Sequence, residues 1–328
     1  MTDFPKASLE HGRIGVDLML SRRRLLGRGL ALTALSGSVL AGLGACSAES
    51  GGNTPPAAKP ESGGNGGEGK AKADGTLAWA VNGAWRTPED KARDEWRHPE
   101  ETLGFFGITS GMTVIDVWPG AGWLTQILAP YLAKGQGKYV AAQFQTGLNP
   151  DPAAEAIMTR FKGVFDANQK LYGKIDYSAF GPTSGPLYPA GMADCVLFMR
   201  TLNEWMAAGI AEKAFADAFA ALKPGGILGI EQHRADAGQV QDPAATNGYV
   251  QEGFVKQLAA ESGFTFVDSS EINANARDTK DHPFGVWTLP PQRLSAPRGK
   301  PDNPSFDHSA YDMIGESDRM TLKFRKPA

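Results

Sequence analysis

The 328-residue chain has only two cysteines, Cys46 and Cys195, too few for the framework of bridges that staples small secreted domains. Cys195 sits in the apolar run "ADCVLFM" and reads as a small core side chain. A basic surplus is also missing. The formal net charge is −3, and residues 1–45 alone carry +3, so the remainder stands at −6 and offers no positive face to a nucleic acid. The most apolar stretch, Leu30–Cys46, is short and glycine-rich, which excludes a convincing membrane-spanning helix. Five histidines are present without an H-x-H or H-x-x-E-H spacing; His282 and His308 each adjoin an aspartate, but no metal site is expected from them. What remains is an ordinary globular composition, 41% hydrophobic and 21% charged.

The first 75 residues read as an address and a tether. "SRRRLLGRG", Ser21–Gly29, resembles a twin-arginine export signal, with Arg22 and Arg23 as the pair. Translation is expected to begin at Met19, which leaves a short basic head. "LGAC", Leu43–Cys46, resembles the lipobox of bacterial lipoproteins, which implies acylation of Cys46 as the first mature residue and a membrane partner through that lipid. Ser47 after the cysteine leans towards the outer membrane, so a periplasm-facing envelope lipoprotein is expected. Residues 46–75 are rich in Gly, Pro, Ser and Ala and lack periodicity; as a flexible coil they reach about 30 Å.

From residue 76 onwards strands and helices alternate. Thr87, Pro88 and Asp90 mark the start of a helix in "TPEDKARDEWRHPEETLGFFGI". "MTVIDVW" and "GKYVAAQF" read as the first two strands, flanking the helix "WLTQILAPYLAKG". A helix capped by Asp151 with Pro152 at its first position spans 151–171. "ADCVLFM" is a strand buried on both faces, "IAEKAFADAFAALKPGG" a helix stopping at Pro224-Gly225, and "GILGIEQH" the next strand. "VQEGFVKQLAAESGF", "TFVDSSEI" and an alternating "RMTLKFRK" follow. This order predicts an α/β fold with a doubly wound, mostly parallel sheet and a ligand at the carboxyl ends of its strands.

"VIDVWPGAGW", Val114–Trp123, places a glycine turn after a buried strand. Gly120-Ala121-Gly122-Trp123-Leu124-Thr125 lacks the third glycine of a dinucleotide fingerprint, and no Gly-Lys-Ser/Thr follows. What remains, Asp116 followed by Gly120 and Gly122, resembles the first motif of class I S-adenosylmethionine (SAM)-dependent methyltransferases. That resemblance implies a seven-stranded Rossmann-like sheet with an antiparallel last strand, SAM as cofactor, and a cofactor site made of Asp116, Trp118, Pro119, Gly120, Ala121, Gly122 and Trp123. Trp118 stands where the family has its first glycine. Pro119 is expected to hold Trp118 extended and leave Gly120 free for positive φ; Trp118 either covers the cofactor or packs beneath the loop. At the end of the second strand, where the family has an acid for the ribose hydroxyls, this chain has Gln143.

Five segments, "RDEWRHPEETLGFFGI", "VIDVWPGAGWLTQILAPYL", "RTLNEW", "LKPGGILGIEQHRA" and "SDRMTLKFRKP", together resemble a bacterial family of predicted methyltransferases, mostly exported and without an assigned substrate. Two polar clusters leave the fourth and fifth strands: Arg200, Asn203 and Glu204, then Glu231, His233 and Arg234. Methyl transfer requires alignment, and a base only where the acceptor loses a proton. His233 or Glu231 is the candidate base, and Arg200 or Arg234 the candidate holder of an anionic acceptor. Arg93, Arg97 and His98 are candidates for closing over the pocket. The irregular insertion 272–318 is expected to form a lid. The expected function is methyl transfer from SAM to a small or envelope-associated acceptor; the alternative is a methyltransferase fold that binds a small ligand without turnover. Nothing in the sequence sets the oligomeric state.

Overall fold

The computed structural model describes residues 74–146 and 152–328; the expectations for the address, the lipid-bearing Cys46, most of the tether and the Asp151 cap lie outside the described residues. Thr76 and Thr87 accept the N–H groups of Trp79 and Asp90, opening α1 (Leu77–Val81) and α2 (Pro88–Lys91). The single helix expected after Thr87 is instead three short ones. α3 (Asp94–Arg97) and α4 (Pro99–Phe106) follow, separated by His98 at φ 37°. Pro99 has no N–H to donate and crowds the residue before it, so the helix breaks there and restarts.

β1 (Thr113–Val117), α5 (Thr125–Lys134), β2 (Lys138–Phe144) and α6 (Pro152–Phe165) come next, then α7 (Gln169–Tyr172), β3 (Asp176–Phe180) and β4 (Ala193–Met199). The helix expected over 151–171 therefore changes register after Phe165, passing through one tight turn into α7. β3 has no counterpart among the strands read from the sequence; "DYSAF" is short and mostly half-buried. α8 (Leu202–Ala207), α9 (Ala211–Ala221), β5 (Leu222–His233), α10 (Glu252–Glu261), β6 (Thr265–Ser270), β7 (Pro283–Val286), α11 (Ser309–Ile314) and β8 (Arg319–Arg325) complete the order. α9 ends before Pro224, because Leu222 already pairs with Ala193 of β4.

Seven strands form one sheet in the order β3-β2-β1-β4-β5-β8-β6, and β7 stands outside it. All neighbours are parallel except β8, which runs antiparallel to both β5 and β6. This is a doubly wound, Rossmann-like seven-stranded sheet, mostly parallel, with the last strand of the chain antiparallel. Each face carries its own core. Ile115, Val117, Val196 and Phe198 pack with Trp205 and Phe215 on one side; Val114, Ile127, Leu128, Leu197 and Phe161 pack on the other. Each such buried side chain is worth about 1.5–3 kcal/mol relative to exposure. β8 is buried nearly throughout and does not alternate, since it lies between two strands and beneath helices. Its reversed direction brings its first residue, Arg319, level with His233, so its start lies beside the carboxyl end of β5.

Candidate active site

The turn after β1 is built on left-handed backbone: Trp118 has φ 58°, Gly120 φ 59° and Gly122 φ 88°. The extended conformation expected of Trp118 is not found. A non-glycine residue in this region costs roughly 1–2 kcal/mol, and the packing of the indole explains why the cost is borne. Trp118 still gives its N–H to the Ala142 carbonyl, but the left-handed step ends strand alternation and sends the ring to the face of Val117 and Phe144. There its ring centroid lies 4.7 Å from that of Phe144 and 5.8 Å from that of Trp205, and its indole N–H donates to the Phe180 carbonyl at 3.0 Å. Trp118 thus packs beneath the loop. Pro119 and Ala121 line the outer side of the turn, half-buried and exposed, while Gly120 is buried. A Cβ on Gly122 would stand 2.4 Å from the Phe165 ring, so this glycine lets α6 close against the turn.

The opposite face of β1 and β2 is polar at its upper end. Asp116 accepts a hydrogen bond from the Tyr139 hydroxyl at 2.8 Å, and Tyr139 also meets the Thr125 hydroxyl at the start of α5. Strand alternation puts Gln143 on the same face as Tyr139. Gln143 is 4% exposed, and neither its amide oxygen nor its amide nitrogen has a partner. A buried polar group left unpaired costs about 1–3 kcal/mol. Burial raises the Asp116 carboxyl to about 6, against the opposing hydrogen bond from Tyr139 and the charge of Arg200.

A carboxylic acid with a raised pKa binds its proton more tightly in the folded chain than in the unfolded one. Its contribution therefore favours folding at low pH and is lost as the pH rises from about 4 to 6. The Asp116→Asn variant keeps the acceptor for Tyr139 but cannot ionise. Its stability relative to the parent is expected to rise by about 2 kcal/mol between pH 4 and 7. Urea unfolding of both proteins across that range checks this; a constant difference would show that Asp116 titrates normally.

A buried charge network fills the space beside the turn. Arg200, also left-handed at φ 63°, reaches Glu231 at 2.7 Å, and Arg319 approaches the same carboxylate oxygen at 3.2 Å. Glu316 binds Arg97 at 2.8 Å and Arg319 at 2.7 Å. Trp123 lies under the guanidinium groups of Arg97 and Arg200, at 4.8 and 5.9 Å, and donates its indole N–H to the Asp90 backbone carbonyl. Burial and the neighbouring arginine charges bring Arg97 down to about 10. Burial, with Arg319 and Arg200 nearby, holds His233 well below the ordinary imidazole range, so it is neutral at neutral pH; its Nδ1 lies 2.5 Å from the Ser317 hydroxyl. His233 is correspondingly a weak base.

The six residues put forward for chemistry divide into three groups. Arg200, Glu231 and His233 belong to the network just described. Asn203 and Glu204 lie on α8: Asn203 accepts from Gln232 at 3.0 Å, and Glu204 receives both guanidinium nitrogens of Arg298, at 2.8 and 3.3 Å. Arg234 is held by Glu271 and Asp318. Arg200 and Arg234 each already bind a carboxylate, Arg200 through one nitrogen and Arg234 through three. Arg97 lines the network and His98 adjoins it through Asn273, whereas Arg93 pairs with Asp90, whose carbonyl holds the Trp123 indole beside it. Among the histidines questioned as metal ligands, His282 bonds Asp278, which also accepts from Tyr249.

Sequence reasoning missed Glu316, Ser317, Arg319 and Arg298. A signal for the first three was present: the polar run Glu316–Asp318 leads directly into a strand that opens on Arg319, and an antiparallel strand starts where its parallel neighbours end. Insertion 272–318 supplies Glu316, Ser317 and Arg298, and contains β7 and α11.

No family model matches the chain, and no curated protein matches it. Solved structures similar to it include the [4+2]-cyclase SpnF, 17% identical over 71% of this chain and 80% of that one, with TM-score 0.47. A SAM-dependent methyltransferase from Aquifex aeolicus is 19% identical over 60% and 93%, with TM-score 0.42. A third, titled a putative sarcosine dimethylglycine methyltransferase from Galdieria sulphuraria, is 12% identical over 73% and 86%, with TM-score 0.46. The likeness concerns the fold alone. At these scores it adds nothing to the strand order already described.

Proposed function

We propose that this domain binds SAM at the turn after β1 and transfers a methyl group to a small or envelope-associated acceptor. The observation that carries the reading is Gln143: a buried amide, unpaired at both oxygen and nitrogen, on the same face as Asp116 at the strand ends. Ribose hydroxyls both donate and accept, and would satisfy both atoms. The left-handed backbone at Trp118, Gly120 and Gly122 supports the same assignment, since a strained turn maintained by packing is characteristic of ligand sites. The bulk of Trp118 lies on the other face and leaves this one to the ligand. SAM, when bound, supplies an electrophilic methyl group on a sulfonium.

The chain's own residues then have distinct tasks. Gln143 binds the ribose hydroxyls, and the turn from Pro119 to Trp123 brings backbone close to the amino-acid end. Arg200, Arg97 and Arg319, fixed by Glu231 and Glu316, hold a rigid charged wall beside it. His233 stays neutral and accepts or donates only to a group as close as Ser317. Calorimetric titration of SAM into the intact chain tests this. Micromolar affinity is expected, with roughly tenfold weakening in Gln143→Ala and recovery in Gln143→Glu. No heat of binding from the folded parent would defeat the proposal.

The second reading, ligand binding without turnover, is favoured by one observation: of the six residues put forward for chemistry, five engage ionic or amide partners and His233 is a weak base. Saturable SAM binding without label transfer to any fraction of an envelope extract would support it over methyl transfer.

A further inference from the structure

One cation near the strand ends is free of carboxylates among the described residues. Arg277 is exposed, and its guanidinium lies 5.0 Å from the centroid of the Trp96 ring. Beside it opens a cavity of about 390 Å³, bounded by α3, the segment Asn273–Arg277 and the start of β8. That volume falls within the roughly 300–1,000 Å³ of small-molecule sites. Trp96, Ala274 and Ala276 give it an apolar wall; His98, Ser317 and Arg319 give it a polar floor.

The polar groups differ in availability. The charge of Arg319 is met by Glu231 and Glu316. The Ser317 hydroxyl meets His233. Asn273 gives its amide hydrogens to Thr102 and Thr321, and its oxygen lies 3.3 Å from His98 Nδ1. This orients the His98 ring, which stands on left-handed backbone, and leaves its Nε2 for a ligand. Arg277 thus brings one positive charge not balanced by an ion pair, and Glu95 on the rim disfavours a ligand with two negative charges.

We propose that this cavity is the acceptor pocket and takes a small organic monocarboxylate. The carboxylate pairs with Arg277, the apolar body rests on Trp96, Ala274 and Ala276, and His98 Nε2 meets a polar substituent. The site is new with respect to Arg200 and Arg234, neither of which lines the cavity. It rests on the methyl-transfer reading only in being called an acceptor pocket. Through Ser317 it touches His233 at the end of β5, which places its occupant next to the charge network.

Benzoate is the probe, titrated into the intact chain and followed by saturation-transfer NMR, with benzamide as the neutral control. Saturable millimolar binding of benzoate is expected, at least tenfold weaker in Arg277→Gln and partly restored in Arg277→Lys, with benzamide binding the parent no better than benzoate binds Arg277→Gln. Equal affinity in parent and Arg277→Gln, or no saturable binding to the parent, would overturn the proposal. SAM affinity, measured on the same samples, separates the two readings. Benzoate binding without SAM binding would leave the pocket and remove the cofactor; SAM binding unchanged by Arg277→Gln, with no benzoate site, would do the reverse.

Discussion

Trp118→Ala is expected to lower the unfolding free energy by about 3–5 kcal/mol, the cost of deleting a large aromatic side chain from a packed core. The indole fills the space between Phe144, Phe180 and Trp205, and its N–H is the partner of the Phe180 carbonyl. A second comparison isolates the backbone. At most positions glycine is less stable than alanine by roughly 0.5–1 kcal/mol, because it loses more freedom on folding. At φ 58° the order should invert, and Trp118→Gly should unfold at higher urea than Trp118→Ala. Equilibrium urea curves for the three proteins measure both effects. If alanine proved the more stable substitute, the left-handed assignment at position 118 would be wrong.

Glu316→Gln should cost a similar 3–5 kcal/mol, for an electrostatic reason. Glu316 is buried between Arg97 and Arg319. Burial alone would raise its pKa, but the two arginines outweigh it and bring the carboxyl down to about 2. The neutral amide leaves two buried guanidinium groups without their shared counter-charge. Adding Arg97→Met should restore part of the loss, since it removes one of the stranded charges; an additive double mutant would show that the two residues do not interact. The pH signature has the opposite sign to that of Asp116. Stability from Glu316 is fully present above the ordinary carboxylate range and is lost as the pH falls from about 4.5 towards about 2. The parent should therefore lose stability in acid where Glu316→Gln loses less.

The sheet and its loop were legible because their signals are local. Short runs dominated by apolar residues mark β1 and β4, and the glycines that follow β1 announce a turn whatever surrounds it. Local signals also account for the errors. Pro99 marked a helix break that a long helical pattern concealed, and β3 was too short and too polar to stand out beside β4. Trp118 contradicted its local preference because burial of its ring is worth more than the backbone strain. The least visible features depend on sequence separations of tens to hundreds of residues. Arg97 meets Glu316 across 219 positions, and Glu204 meets Arg298 across 94. Strand order shows that polar groups converge on one edge; it does not tell which of them neutralise one another. That is why the carboxylate partners of Arg200 and Arg234 were not legible and Arg277 did not attract notice.

The placement of β8 also orders events in time. A ribosome delivers β6 before β8, so the emerging sheet holds a gap beside β5 and a β6 strand that cannot yet join it. Glu316, Ser317 and Arg319 arrive with the strand that fills this gap. Until then Arg97 lacks its carboxylate, Glu231 has Arg200 but not Arg319, and the cavity beside Arg277 lacks most of its floor. Closing the sheet and finishing the site are thus one event, and a nascent chain cannot offer a ligand the complete pocket before its final strand is in place.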